Sequence, residues 1–156
     1  MKVLIVDDHV LFRRGLASLL KAWGFLVVGE ADSGEEAIVK VRELLPELIF
    51  MDINMAGLNG VETTRAVKAE FPDIKVVILT VSDHEEDLFE AIKSGAEGYL
   101  LKNTQEDQFA EMVDRIKQGE PAISPSLAKK LLEEFVRLKQ EAPKDRGETG
   151  LTQREE

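Results

Sequence analysis

The chain has 156 residues, 44% of them hydrophobic, a formal net charge of -10 and no cysteine. That size suits one domain with a real core and some chain left over, while the missing cysteine excludes thiol catalysis, a disulfide framework and cysteine-ligated zinc. The acidic excess lies in residues 1–120, with 13 basic and 23 acidic groups against 7 of each in the remainder, so this part is a poor nucleic-acid binder by itself.

The two histidines, His9 and His84, are too few and too far apart for a histidine-rich metal site, which with the absent cysteine suits a cytoplasmic protein. Residues 2–6, KVLIV, are the first short apolar run, and the acids Asp7 and Asp8 follow so soon that the start is neither a secretory signal nor part of a membrane span. A helix with Leu16, Leu19, Leu20 and Trp23 comes next, then the run FLVVG at 25–29 and a helix with Ala37, Ile38, Val41 and Leu45. The run LIFM at 48–51 ends on Asp52 and leads through a loop with two glycines to a helix with Val61, Thr64, Val67 and Phe71. KVVILT at 75–80, a helix with Leu88, Ala91 and Ile92, GYLL at 98–101 and a helix with Phe109, Met112, Val113 and Ile116 complete the alternation. Runs spaced too widely for hairpins and separated by amphipathic helices predict a doubly wound five-stranded parallel sheet of the α/β class, closing near Gly119.

After Pro121 the pattern changes. SPSLAKKLLEEFVRLKQ places Ser124 before Pro125, as at a helix start, with Ala128, Leu131, Phe135 and Leu138 at helical spacing. The expected division is a domain over 1–120, a linker helix over 121–140 and a flexible linker over 141–150, rich in Gly, Pro and charge. The linker helix is expected to pack on the body or on a neighbouring domain, with a short coiled-coil seam as the alternative. In LTQREE, residues 151–156, Thr152 and Glu155 have capping-box spacing, so the chain is read as stopping where a further helix opens.

Doubly wound sheets bind ligands beyond the carboxyl ends of their strands. Those ends carry Asp7 and Asp8, Asp52, Thr80 and Lys102. Singly, an acid after the first strand is an ordinary helix cap, Asp52 a turn residue, Thr80 a strand residue and Lys102 a solvated charge. Jointly, four strands each place a reactive or ionic group on one edge. Three gathered carboxylates repel and call for a cation, and oxygen ligands alone point to Mg²⁺ and through it to a phosphoryl group. Asp52 is the candidate nucleophile for an aspartyl phosphate, with the lysine neutralising the transferred group.

VDDH near the start, MDINMAGLNGVE around Asp52, LTVSD around Thr80 and GYLLK ending at Lys102 together resemble the receiver domain of bacterial two-component response regulators. DDHVLFRRGL and GEPAISPSLAKKLL resemble the NarL/FixJ subgroup, whose LuxR-type helix-turn-helix output domain opens with a sequence similar to LTQREE. The resemblance implies a flavodoxin-like strand order 2-1-3-4-5 and phosphorylation of Asp52 by a sensor histidine kinase. It further implies that Asp8 binds Mg²⁺ directly, Asp7 through water and Asn54 through its main-chain carbonyl, with Asp52 in the same shell. Lys102 would pair with the phosphoryl group, Thr80 would move to hydrogen-bond it, and Tyr99 would be the switch aromatic that turns inward; its plainer reading is a half-buried strand aromatic. The partners implied are the kinase, a second copy on phosphorylation through a face of either the first and fifth or the fourth and fifth helices, and DNA only through a missing C-terminal domain, with no membrane. His9 and His84 are read as helix-start residues without a role in phosphotransfer.

Three positions depart from the broad pattern. Ala56 stands where a proline is common, and Asn103 follows Lys102 where a proline with a cis peptide is common. Val81 stands where many receivers carry a smaller residue, and its bulk is expected to slow phosphate loss. A haloacid-dehalogenase-like phosphatase would want an aspartate where Asn54 stands, and a phosphate-independent module of the same fold would lack part of the acid, acceptor and lysine set that is complete here.

Overall fold

Why the apolar runs pair in parallel is visible in their two-sided burial. The computed structural model describes residues 1–55, 57–81, 85–123 and 125–149, without the side chains of 85–87, 125–126 and 141–149. In chain order they form β1 Lys2–Val6, α1 Val10–Ala22, β2 Leu26–Ala31, α2 Gly34–Leu44, β3 Leu48–Asp52, α3 Gly60–Glu70, β4 Lys75–Thr80, α4 Glu85–Lys93, β5 Gly98–Leu101, α5 Glu106–Lys117, β6 Ala122–Ile123 and α6 Pro125–Thr149. Every pairing is parallel, in the order β2-β1-β3-β4-β5-β6.

Alternate residues of each strand feed opposite faces. Leu4 and Val6 of β1, Ile49 and Met51 of β3, and Ile78 of β4 join Ala37 and Val41 of α2, Val67 of α3, and Leu88 and Ala91 of α4. Val3, Ile5, Leu48, Phe50 and Leu79 face the other way, onto Leu16, Ala17 and Leu20 of α1 and Phe109, Val113 and Ile116 of α5. Both faces are therefore covered, which is why the central strands read as continuous apolar runs.

Three expectations need correction. The sheet has six strands, because β6 adds Ala122 and Ile123 beside Gly98 and Tyr99, so the expected close of the domain at residue 120 falls short. β2 begins and ends later than 25–29, since this edge strand is only partly buried and its apolar pattern is diffuse. The helix expected over 121–140 starts at Pro125 and its backbone continues to Thr149, across the segment read as a flexible linker. Residues 151–156 lie outside the described residues, as do Ala56 and His84. No peptide bond is cis among the described residues, and the one following Lys102 is trans.

Helix α6 packs on α4 with a face one step away from the expected one. Leu127 is 1% exposed and Glu134 6%, with Leu131 and Leu138 part-buried on the same side, whereas Phe135 is 57% exposed. The buried Glu134 carboxylate pairs with Arg137 one turn on.

The loop after β3 is held close. Ile53 N–H donates to Leu79 O at 3.0 Å, Gly60 N–H donates to Ile53 O at 3.1 Å, and Asn59 with Glu62 closes a capping box over the start of α3. A β-carbon at Gly60 would lie 2.3 Å from Asp52 O and 2.7 Å from Ile53 Cα, both backbone atoms that cannot swing aside. Gly60→Ala is expected to destabilise the domain by about 2 to 3 kcal/mol, seen as a lower urea midpoint at unchanged slope.

Candidate phosphoacceptor site

Backbone hydrogen bonds carry the site residues to one edge. Asp7 leaves β1 with its N–H on Ala31 O at 3.0 Å, and Lys102 leaves β5 with its N–H on Thr80 O at 2.8 Å. Arg13 locks the β1–α1 loop from behind: Nη1 donates to Asp7 O at 2.6 Å and Nε to Glu30 Oε1 at 2.8 Å. Asp52 ends β3, with Asn54 N–H at 3.4 Å from its Oδ1.

Lys102 Nζ sits 2.7 Å from Asp7 Oδ2 and 3.4 Å from Asp52 Oδ1. Its Nζ sits over the Phe12 ring, 4.7 Å from the centroid, so the ring face backs the ammonium where it meets the acids. The Asp7 and Asp52 side chains are 0% and 2% exposed, Lys102 8% and Asp8 39%, so the pocket is deep on one side and open at Asp8. Asp52 Oδ2 is buried with no hydrogen-bond partner among the described residues. Asp7 Oδ2 has only its contact with Lys102, at angles outside hydrogen-bond geometry.

Burial, and next the repulsion of Asp7, push the Asp52 carboxyl from its ordinary 3.8 up to about 6, against the pull of Lys102 and the Asn54 N–H. With three carboxylates and one ammonium, the pocket has a formal charge of -2 when all are ionised, which matches one divalent cation. The orphaned Asp52 oxygen shows where that charge is felt. Hard oxygen donors with an open side fit Mg²⁺.

The structure thus brings Asp7, Asp8, Asp52 and Lys102 together as expected. Thr80 is buried at the end of β4 beside them, and Asn54 is exposed on the loop after Asp52. Tyr99 stands apart. Its side chain is 0% exposed rather than half-buried, in the cluster that contains Leu88 and Ala91 of α4. Two participants escaped the sequence reading. Phe12 backs the lysine, and His9, expected only to open α1, does so as the N-cap residue but turns its ring to the acids, with Nδ1 3.1 Å from Asp7 Oδ1. The run Asp7-Asp8-His9, three ligand-type residues in succession, was the available signal.

The sequence profile of the response regulator receiver domain matches residues 3–114, the span from β1 into α5 that builds this pocket. The chain belongs to the response regulator receiver family. A nitrate/nitrite response regulator protein homolog of Haemophilus influenzae is 43% identical over 134 residues, covering 85% of this chain and 64% of the relative. The transcriptional regulatory protein DegU of Brevibacillus brevis is 38% identical over 152 residues, covering 97% of this chain and again 64% of the relative. Among solved structures, a LuxR-family two-component response regulator from an Aurantimonas species superposes with a TM-score of 0.80 at 30% identity, over 86% of this chain and 97% of that one. This receiver therefore spans just under two thirds of the length of the curated relatives it matches. No described helix is long and apolar enough to cross a membrane.

Proposed function

We propose that Asp52 accepts a phosphoryl group from a sensor histidine kinase, and that the receiver so modified switches a cytoplasmic transcriptional response regulator. The observation that carries this reading is Asp52 itself: a buried carboxylate at a strand end, with one oxygen unpartnered and a lysine ammonium 3.4 Å from the other. A carboxylate oxygen attacks the phosphorus, the bond to the kinase imidazole nitrogen breaks, and its electron pair leaves with the imidazole. Lys102, now on Asp7, is within reach to follow the new negative charge, and the Thr80 hydroxyl can donate to a phosphoryl oxygen.

Mg²⁺ would be held by Asp8, Asp52 and the Asn54 main-chain carbonyl, with Asp7 acting through water, and would supply charge neutralisation on the phosphoryl oxygens. Because Tyr99 shares a buried cluster with α4, movement of Thr80 at the end of β4 would reach the α4 surface through packed side chains. Homodimer formation on phosphorylation, and DNA contact through an output domain, complete the reading; the relative named as a transcriptional regulatory protein supports it.

Intact mass after incubation with acetyl phosphate and Mg²⁺ tests the acceptor. One phosphoryl adduct is expected in the wild type and none in Asp52→Ala; an adduct retained in the variant would rule Asp52 out. Val81, 68% exposed next to Thr80, is expected to shield the phosphoryl group from water. Val81→Ala should shorten the adduct's lifetime several-fold in a timed mass series.

A further inference from the structure

The three carboxylates of the pocket would suffice for a hard ion, yet a donor of another kind shares it. His9 Nδ1 lies 3.1 Å from Asp7 Oδ1, 3.3 Å from Asp8 Oδ1 and 3.9 Å from Asp52 Oδ2. One ligand-type atom from each of these four residues lies within 4.8 Å of all the others. Atoms bound to one small ion at about 2.1 Å stand roughly 3 to 3.5 Å apart as neighbours and about 4.2 Å apart when opposite. The separations from Nδ1 to Asp7 and Asp8 fall in the neighbour range, and the third, 3.9 Å to Asp52 Oδ2, lies between the two values.

Two further observations bring the nitrogen onto the pocket's charged groups from its open side. Lys102 Nζ, the cation the pocket already holds, is 3.3 Å from Nδ1. The unpartnered Asp52 Oδ2, on a side chain 2% exposed, has Nδ1 within 3.9 Å. The backbone keeps the residue there: His9 N–H donates to Asp7 Oδ1 at 2.8 Å, and although His9 is the N-cap of α1 its side chain makes no capping bond. The imidazole is thus not committed to the helix.

We propose that His9 supplies a nitrogen ligand through which this pocket takes a borderline divalent ion, Zn²⁺ being the type, in competition with Mg²⁺. The inference rests on reading the pocket as the cation site of phosphotransfer. Mg²⁺ prefers oxygen and keeps several waters, so His9 adds little to its binding. Zn²⁺ accepts imidazole and carboxylate in a four-coordinate set, which His9, Asp7, Asp8 and Asp52 complete without water. A set closed in that way occupies Asp52 and leaves no position for an incoming phosphoryl oxygen. The neutral Nδ1 lone pair is required, so the imidazole proton resides on Nε2 in that state. Zinc at this pocket is therefore an antagonist of phosphorylation.

Calorimetric titration of the purified chain with zinc chloride, and separately with magnesium chloride, tests the proposal in wild type, His9→Ala and His84→Ala. Nitrogen-15 shifts of the two imidazoles provide a second readout. The expected result is a tenfold or greater loss of Zn²⁺ affinity in His9→Ala, a Mg²⁺ affinity within twofold of wild type, and no change in His84→Ala. The His9 ring nitrogens should shift with Zn²⁺ and stay in place with Mg²⁺. His9 is 67% exposed on its side chain, so its replacement leaves the core untouched. Zinc affinity unaltered by His9→Ala, or lost in equal measure with magnesium affinity, would overturn the proposal. Wild-type protein that binds Zn²⁺ through His9 but no Mg²⁺ would support the nitrogen ligand while overturning the phosphoacceptor reading; Mg²⁺ binding with His9-independent Zn²⁺ binding would do the reverse.

Discussion

In metal-free buffer at pH 7.5, Asp52→Asn is expected to melt roughly 5 to 10 °C above the wild type. The folded protein holds the Asp52 proton more tightly than the unfolded chain does, with a carboxyl pushed to about 6 from an ordinary 3.8 by burial and by Asp7. Ionising it in place therefore costs stability, and the cost grows as pH rises from about 4 to about 6 and is then constant. A difference of about two pH units corresponds to 2 to 3 kcal/mol, and in a domain of this size each kcal/mol moves the midpoint by roughly 2 to 4 °C. The amide keeps the shape and removes the charge. Melting curves from pH 4 to pH 8 should show wild-type stability falling relative to Asp52→Asn through that window and running parallel above it. Added Mg²⁺ should close the gap at neutral pH and fail to do so below about 5, where protons compete for the carboxylate. Curves that stay parallel throughout would mean that Asp52 bears no such penalty.

The repulsive part of that penalty was legible in the sequence, because it needs only carboxylates gathered on one sheet edge and the edge follows from the alternation of strands and helices; burial, its larger cause, is set by the packing around the end of β3. The central strands were legible for the same reason: β1, β3 and β4 are covered on both faces, so nothing polar interrupts them. Legibility fails where burial becomes partial. β2 is an edge strand with Leu26 59% exposed, and its ends drift. The two residues of β6 are too few to carry a period at all.

Helix α6 shows a different limit. Its sequence contains two overlapping apolar stripes, one through Ala128, Leu131, Phe135 and Leu138 and one through Leu127, Leu131 and Leu138. Both have helical spacing, and only the contact with α4 selects the second, burying Glu134 and leaving Leu132, Phe135 and Val136 exposed. No local signal distinguishes them. In the pocket the acids and the lysine were readable as strand-end residues, whereas the inward turn of His9 was not. Its backbone position is that of an ordinary helix start, and the direction of its ring depends on Asp7, Asp8 and Lys102 meeting across two loops.

The same balance of charges makes the loss of Lys102 costly to the unliganded fold. Lys102→Met should lower stability by about 3 kcal/mol, or near 10 °C in melting temperature, since removing one partner of a buried ion pair strands the other. Methionine keeps an unbranched apolar side chain of similar reach, so what is lost is chiefly the ammonium that stands 2.7 Å from Asp7 and 3.4 Å from Asp52, over the Phe12 ring. Two consequences separate this cause from a packing defect. The deficit should shrink as pH falls below 6 and the stranded carboxylates take up protons, and Mg²⁺ at a hundred times its dissociation constant should restore up to about 2.7 kcal/mol. The double variant Lys102→Met with Asp52→Asn should be more stable than Lys102→Met alone, because the second change removes the charge that the first leaves uncompensated. Equal destabilisation of the single and double variants, unresponsive to pH and Mg²⁺, would place the role of Lys102 in its hydrocarbon stem instead.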